Sequence, residues 1–177
     1  MKKQIIDYSV VQEKMWKNTY DALKLLVDNS YYAQISFIPQ WGCEEKSYWK
    51  EFCTVRLTTS RRSGHTTSVC KLAHEYFDKA IFLSPSLEIS KNLNLMFRNL
   101  QRDNSDYKKI TDFEILTSNG GYFFGTHNSI DKFRGIDCEA VIIDGTFSLS
   151  HQKEEDVYEI LGPCMCKHPQ KFFIFVQ

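Results

Sequence analysis

Short apolar, β-branched runs alternate with amphipathic helical ones through most of this chain, and that alternation is the strongest constraint on its fold. "FCTVRLT" is followed by a glycine-containing loop and then by "TTSVCKLAHEYFDKA", in which Val69, Leu72, Ala73 and Phe77 fall on one helical face. "IFLS" reads as a buried strand, "LEISKNLNLMFRNLQ" as a helix, and "FEILT" and "GYFFGT" as two shorter strands. "SIDKFRG", the apolar strand "AVIID", the polar helix "HQKEEDVYEIL" and a last strand "KFFIFV" complete the series. Strands that alternate with helices pair in parallel, because the helix is the crossover that a parallel connection needs. The expectation is an α/β domain with a mostly parallel sheet and helices on both faces.

The first part of the chain reads differently. Residues 8–27 carry Val11, Met15, Tyr20, Leu23 and Leu26 near helical spacing, "YYAQISFIP" reads as a short strand, and "QWGCEEKSYWKEF" as a polar connection. The expected organisation is a helical extension over 1–45, packed on one compact unit over 46–177. With 177 residues, 42% of them hydrophobic, the chain can bury one ordinary core. Twenty-two basic residues balance twenty-two acidic ones, so no global field draws it to nucleic acid or membrane, although a local basic patch is compatible with that balance. Charges interrupt every apolar run before it reaches the length of a membrane span, which predicts a cytoplasmic protein with no membrane partner. The six cysteines are scattered, as buried reduced thiols are. "CMCKH", with Cys164, Cys166 and His168, lacks the second ligand pair that a structural zinc site uses.

The loop "TTSRRSGHTT" joins a buried strand to a helix, the arrangement in which backbone N–H groups and the positive end of the helix surround a phosphate. Gly64 allows the backbone to approach closely, and Thr66, with Thr67 beside it, stands where a hydroxyl would ligate magnesium. By itself such a loop is equally well read as a plain strand-to-helix turn. A phosphate loop also needs a second strand ending in a carboxylate for the metal, and "CEAVIIDG" supplies Asp144 after four apolar residues. The strand ending at Asp144 is therefore expected beside the strand that precedes the loop, with Thr66 and Asp144 within about 12 Å of each other, the span one hydrated magnesium can bridge.

"SRRSGHTTS" resembles the arginine-containing phosphate loop of large terminase subunits, the packaging ATPases of tailed phages, and "FRGIDCEAVIIDG" is similar to their second motif. The resemblance implies a P-loop NTPase-type fold that binds ATP and magnesium. It makes Ser60, Arg62, Ser63, Gly64, His65, Thr66 and Thr67 the nucleotide contacts, Arg61 and Asp144 the catalytic residues, and Thr66 and Asp144 the magnesium ligands. DNA or a viral packaging or assembly protein is the implied partner, oligomers are compatible with it, and the compartment would be the host-cell cytoplasm. By the same resemblance Gln40 would contact adenine and Gln177 would occupy the polar position that couples hydrolysis to movement; an ordinary turn residue is the more usual reading of Gln40, and a plain strand end the stronger reading of Gln177.

Two departures bear on activity. His65 stands where the family has lysine, so the charge facing the β- and γ-phosphates would be shorter in reach and only partly present near neutrality. Gly145 stands where the family has the glutamate that orients water, a contribution on the order of a hundredfold or more. The expected function is ATP binding with weak or partner-dependent hydrolysis, which exchange of His65 for lysine and Gly145 for glutamate would raise. The alternative is a catalytically inactive interaction or regulatory module that keeps the fold. An unrelated enzyme built on His65, His74 or Cys70 lacks a recognisable base and orienting acid.

Overall fold

The structure, a computed structural model, describes residues 8–37, 45–59, 64–100, 107–145 and 149–177. Ser60, Arg61, Arg62, Ser63, Gln40 and Cys43 lie outside the described residues. The elements run α1 (Tyr8–Phe37), α2 (Glu45–Phe52), β1 (Thr54–Leu57), α3 (His65–Tyr76), β2 (Lys79–Ser84), α4 (Leu87–Leu100), β3 (Tyr107–Ile110), β4 (Glu114–Thr117), β5 (Gly121–Thr126), a 3₁₀ segment (His127–Phe133), β6 (Ala140–Asp144), α5 (His151–Leu161), a second 3₁₀ turn (Gly162–Met165) and β7 (Phe172–Val176).

The seven strands form one sheet in the order β1-β7-β6-β2-β5-β4-β3. The pairs from β1 to β5 are parallel, and β4 and β3 add an antiparallel edge. Alternate residues of β2, β6 and β7 feed two cores. Ala140 and Ile142 of β6 and Ile174 of β7 face one side with Leu23 and Val27 of α1, Val69 and Leu72 of α3 and Phe97 of α4. Val141, Ile143, Phe173 and Phe175 face the other with Trp49 of α2 and Val157, Tyr158 and Leu161 of α5. Burial on both faces explains why "AVIID" and "FFIFV" are continuous apolar runs with no alternation of polarity. The expected α/β sheet with helices on both faces is the architecture observed.

Three expectations are corrected. Residues 31–37 continue α1 and form no strand, because Ser30 and Gln34, one helical turn apart, are both used as anchors. The Ser30 hydroxyl donates to Phe52 O at 2.6 Å, and the Gln34 amide donates to Lys171 O and accepts from Lys171 N at 2.8 and 3.0 Å. Residues 45–52 form α2 where a connection was expected: Trp49 is buried beneath α5, with its ring against Gly162, and Lys46 and Lys50 pair with Glu155 at 2.7 and 2.6 Å. Finally, β6 does not lie beside β1. β7 is inserted between them, so the last strand in sequence separates the two motif strands.

Of the cysteines among the described residues, Cys53, Cys70, Cys138 and Cys164 are buried free thiols and Cys166 is exposed. Burial pushes the Cys53 thiol up to about 12. No helix among the described residues is long and apolar enough to cross a membrane.

Candidate functional site

The inserted strand sets the geometry of the carboxyl edge of the sheet. Val176 of β7 is level with Leu57 of β1 on one side and with Asp144 of β6 on the other, so the two motif strands end in one row, two strand spacings or roughly 10 Å apart. Backbone hydrogen bonds lock this row: Thr59 N donates to Gln177 O at 2.8 Å, Gln177 N to Leu57 O at 3.0 Å and Gly145 N to Val176 O at 3.0 Å. Gln177 thus lies between the two motifs.

Gly64 caps α3 with φ 76° and ψ 23°, a left-handed conformation that a side chain disfavours. The space is closed as well, because a Cβ there would stand 2.5 Å from Cβ of Trp16. α1 rests directly on this turn, and the Ser68 hydroxyl donates to both Trp16 O and Gly64 O at 2.9 Å. α3 therefore starts abruptly, with its first N–H groups at the row of strand ends, the end of a helix that favours anions.

From that turn His65 and Thr66 reach across the end of β7 to Asp144. The Thr66 hydroxyl donates to Asp144 Oδ2 at 3.1 Å, well within the expected span. His65 Nε2 stands 3.1 Å from Asp144 Oδ1, at ion-pair distance but off the direction of a well-aligned hydrogen bond. Oδ1 of Asp144 and Nδ1 of His65 are buried and have no hydrogen-bond partner among the described residues. Asp144 as a whole is 4% exposed. Thr67 does not join them; its hydroxyl donates to the sulfur of Met96 on α4 at 3.6 Å.

A buried carboxylate with no well-aligned hydrogen bond to one oxygen, a hydroxyl on the other and a helix start beside it is a donor set suited to a hard cation and its phosphate ligand. Thr66 and Asp144 would hold magnesium, and the α3 backbone the phosphates. His65 occupies the flank of the same carboxylate. The Asp144 carboxylate at this distance raises the imidazole pKa above its ordinary value, against the opposing effect of burial. A divalent cation on Asp144 would compete with that imidazolium, so its uptake would release a proton.

The sign of the His65 shift makes a prediction. A raised folded-state pKa stabilises the fold fully below the unfolded value of 6.5 and ceases to do so as pH rises through the folded value. The denaturant midpoint of the wild type should therefore exceed that of His65→Gln by more at about pH 5.5 than at about pH 8.5. A difference that stays constant across this range would place no titrating pair here.

Gly145, which follows Asp144, has φ 73°. The backbone there needs glycine for its conformation, so Gly145→Glu adds a carboxylate only at a strain of about 1–2 kcal/mol. Urea unfolding should show that loss.

One residue at this edge carried no usable sequence signal. His127 begins the 3₁₀ segment after β5, is 5% exposed, and has Nε2 3.2 Å from Asp144 O. Burial lowers its pKa, so it braces the end of β6 as a neutral ring. Only the adjacency of β5, β2 and β6 brings it there. Arg134, in the second motif, is exposed and pairs with Asp131 at 3.2 Å.

The fold has counterparts of known structure. The large terminase ATPase domain of Thermus phage P74-26 superposes with a TM-score of 0.51 at 12% identity, over 81% of this chain and 63% of that one. A point mutant of that domain superposes with a TM-score of 0.51 at 10% identity, over 77% of this chain and 65% of that one. The chain thus spans slightly less than two thirds of that domain's length, and at these identities what the two share is the fold. No family model matches the sequence, and no curated protein matches it.

Proposed function

We propose that this chain is a nucleotide-binding module of the P-loop type, akin to a packaging-terminase ATPase domain, that takes ATP with magnesium and hydrolyses it slowly or only with a partner. The observation that carries the proposal is the convergence of Thr66 and His65 on the buried Asp144 carboxylate at the start of α3, with Oδ1 facing only the His65 imidazole among the described residues. The α3 N–H groups would bind the β- and γ-phosphates, Gly64 would let the backbone approach them, and Thr66 and Asp144 would orient the metal. Bound there, magnesium would neutralise charge on the phosphate oxygens. Among the loop residues, Ser60, Arg62 and Ser63 would complete the cradle and Arg61 would face the γ-phosphate. No glutamate follows Asp144 to orient water, which is why turnover should be slow. DNA or a viral assembly protein is the proposed partner, and an oligomer the proposed working form.

A second reading rests on the His65–Asp144 contact itself. An imidazolium on the carboxylate substitutes for a metal, as an interaction module that has lost its nucleotide would show. Calorimetry with ATP and magnesium, followed by a phosphate-release assay, separates the two. Magnesium-dependent binding with slow release is expected. Absence of binding to any nucleoside triphosphate would leave the interaction module, and rapid release by the chain alone would overturn the slow-turnover reading.

A further inference from the structure

At the opposite, amino edge of the sheet the structure holds a second concavity, of about 360 Å³, that the nucleotide site does not use. Its floor is the tilted pair Phe77 and Phe172, with ring centroids 5.3 Å apart, where α3 ends and β7 begins. Its walls are the rings of Tyr76, Tyr31 and Tyr32, the last two set edge to face at 5.7 Å near the end of α1. Tyr32 is 66% exposed and Tyr31 40%, so two aromatic rings stand at its mouth in water.

Two carboxylates line this concavity, with His168 beside one of them. Asp28, one turn before Tyr31 and Tyr32, accepts a hydrogen bond from the Tyr76 hydroxyl at 3.1 Å and makes no ion pair among the described residues. Glu139 also lines it; its Oε2 accepts from Asp78 N and Lys79 N at 2.7 and 3.3 Å, and its Oε1 lies 3.7 Å from His168 Nδ1. Lys79 is held by Asp137 at 2.6 Å. Aromatic faces around a carboxylate attract cations and repel phosphate or carboxylate ligands. The fold already exploits this at one wall, where the Lys24 ammonium stands 5.9 Å over the Tyr76 ring.

We propose that this concavity receives an arginine side chain from a partner polypeptide. A guanidinium is planar, sheds water more readily than an ammonium and stacks on aromatic rings while its fork reaches a carboxylate, which matches tyrosine walls with Asp28 at their base. The volume lies in the range of small-ligand sites, enough for one long side chain. The donor is a polypeptide because the surroundings are apolar: Leu25 and Ile35, 61% and 49% exposed, lie on the same helix as the two mouth tyrosines, and tyrosine and arginine are the residue types that protein interfaces favour. The site is on the edge remote from Asp144 and is independent of nucleotide.

The test is an amide NMR titration of the full chain with three capped probes: an arginine amino-acid amide, its citrulline counterpart, and a tripeptide with arginine between two leucines. Saturable shifts confined to the neighbourhood of Asp28, Tyr32, Tyr76 and Glu139 are expected with arginine. Citrulline, equal in shape and uncharged, should give none. The tripeptide should bind at least several-fold tighter than the single amino acid, and Asp28→Asn or Tyr32→Ala should weaken it about tenfold, with the rest of each variant's spectrum unchanged. Equal response to arginine and citrulline, no response to either, or indifference to both substitutions would overturn the proposal. Equal affinity for tripeptide and amino acid would overturn the polypeptide as its source.

Discussion

Replacing Asp144 by alanine is expected to weaken binding of ATP with magnesium by about ten- to a hundredfold, the usual effect of removing a group that orients a metal and its waters. The same variant should not weaken magnesium-free nucleotide binding, because the α3 backbone donors remain and a negative charge beside the phosphates is gone. Asp144 is the acceptor for Thr66 and the counter-ion of His65, so its removal also frees the imidazole to face phosphate. Thr66→Ala should act in the same direction by a smaller factor, and the two losses should not add, since both residues serve one oxygen cluster. Calorimetry with and without magnesium measures each number. If wild type and Asp144→Ala bind magnesium-ATP equally, the carboxylate has no part in a nucleotide site.

Gln34→Ala is expected to lower the stability of the whole chain by about 3 kcal/mol, a fall in Tm of roughly 6–12 °C for a protein of this size. Gln34 is fully buried, and its amide closes a two-way hydrogen-bonded pair with the backbone of Lys171 while also donating to Ser30 at 3.2 Å. Alanine removes all three bonds, strands the N–H and C=O of Lys171 and leaves a cavity between α1 and the start of β7. Thermal unfolding followed by circular dichroism gives the shift. Gln34→Glu at neutral pH should be nearly as costly, because a carboxylate cannot donate to Lys171 O. A loss below about 1 kcal/mol in Gln34→Ala would mean that α1 is not anchored through this pair.

The parts of the fold legible in the sequence are those whose reasons are local. β6 and β7 are buried on both faces and read as unbroken apolar runs, while α3 and α4 show one apolar stripe each. Residues 31–37 misled because tyrosines and isoleucine suit strands. Tyr31, Tyr32 and Ile35 are in fact exposed on a helix held by Ser30 and Gln34, and those anchors meet partners 22 and 137 residues away. α2 was illegible for a similar reason: its lysines find Glu155 and Glu159 on α5. β3 escaped notice as a short edge strand whose burial is slight.

For the candidate site the division is sharper. Composition and order alone placed a glycine before a helix, a hydroxyl two residues later and an aspartate at the end of an apolar strand, because each of these needs only its neighbours to be recognisable. The tertiary structure decided the rest. Strand order is a choice among long-range pairings of similar energy, and no local pattern states that β7 enters between β1 and β6. That insertion sets the spacing across which His65 and Thr66 meet one carboxylate, while the adjacency of β5, β2 and β6 brings His127 behind Asp144, the packing of α3 on α4 turns Thr67 to Met96, and the turn after β6 gives Gly145 a positive φ that makes its glycine a backbone requirement. Which side chains meet depends on contacts between residues far apart in the chain, and a single sequence carries those only as the outcome of folding.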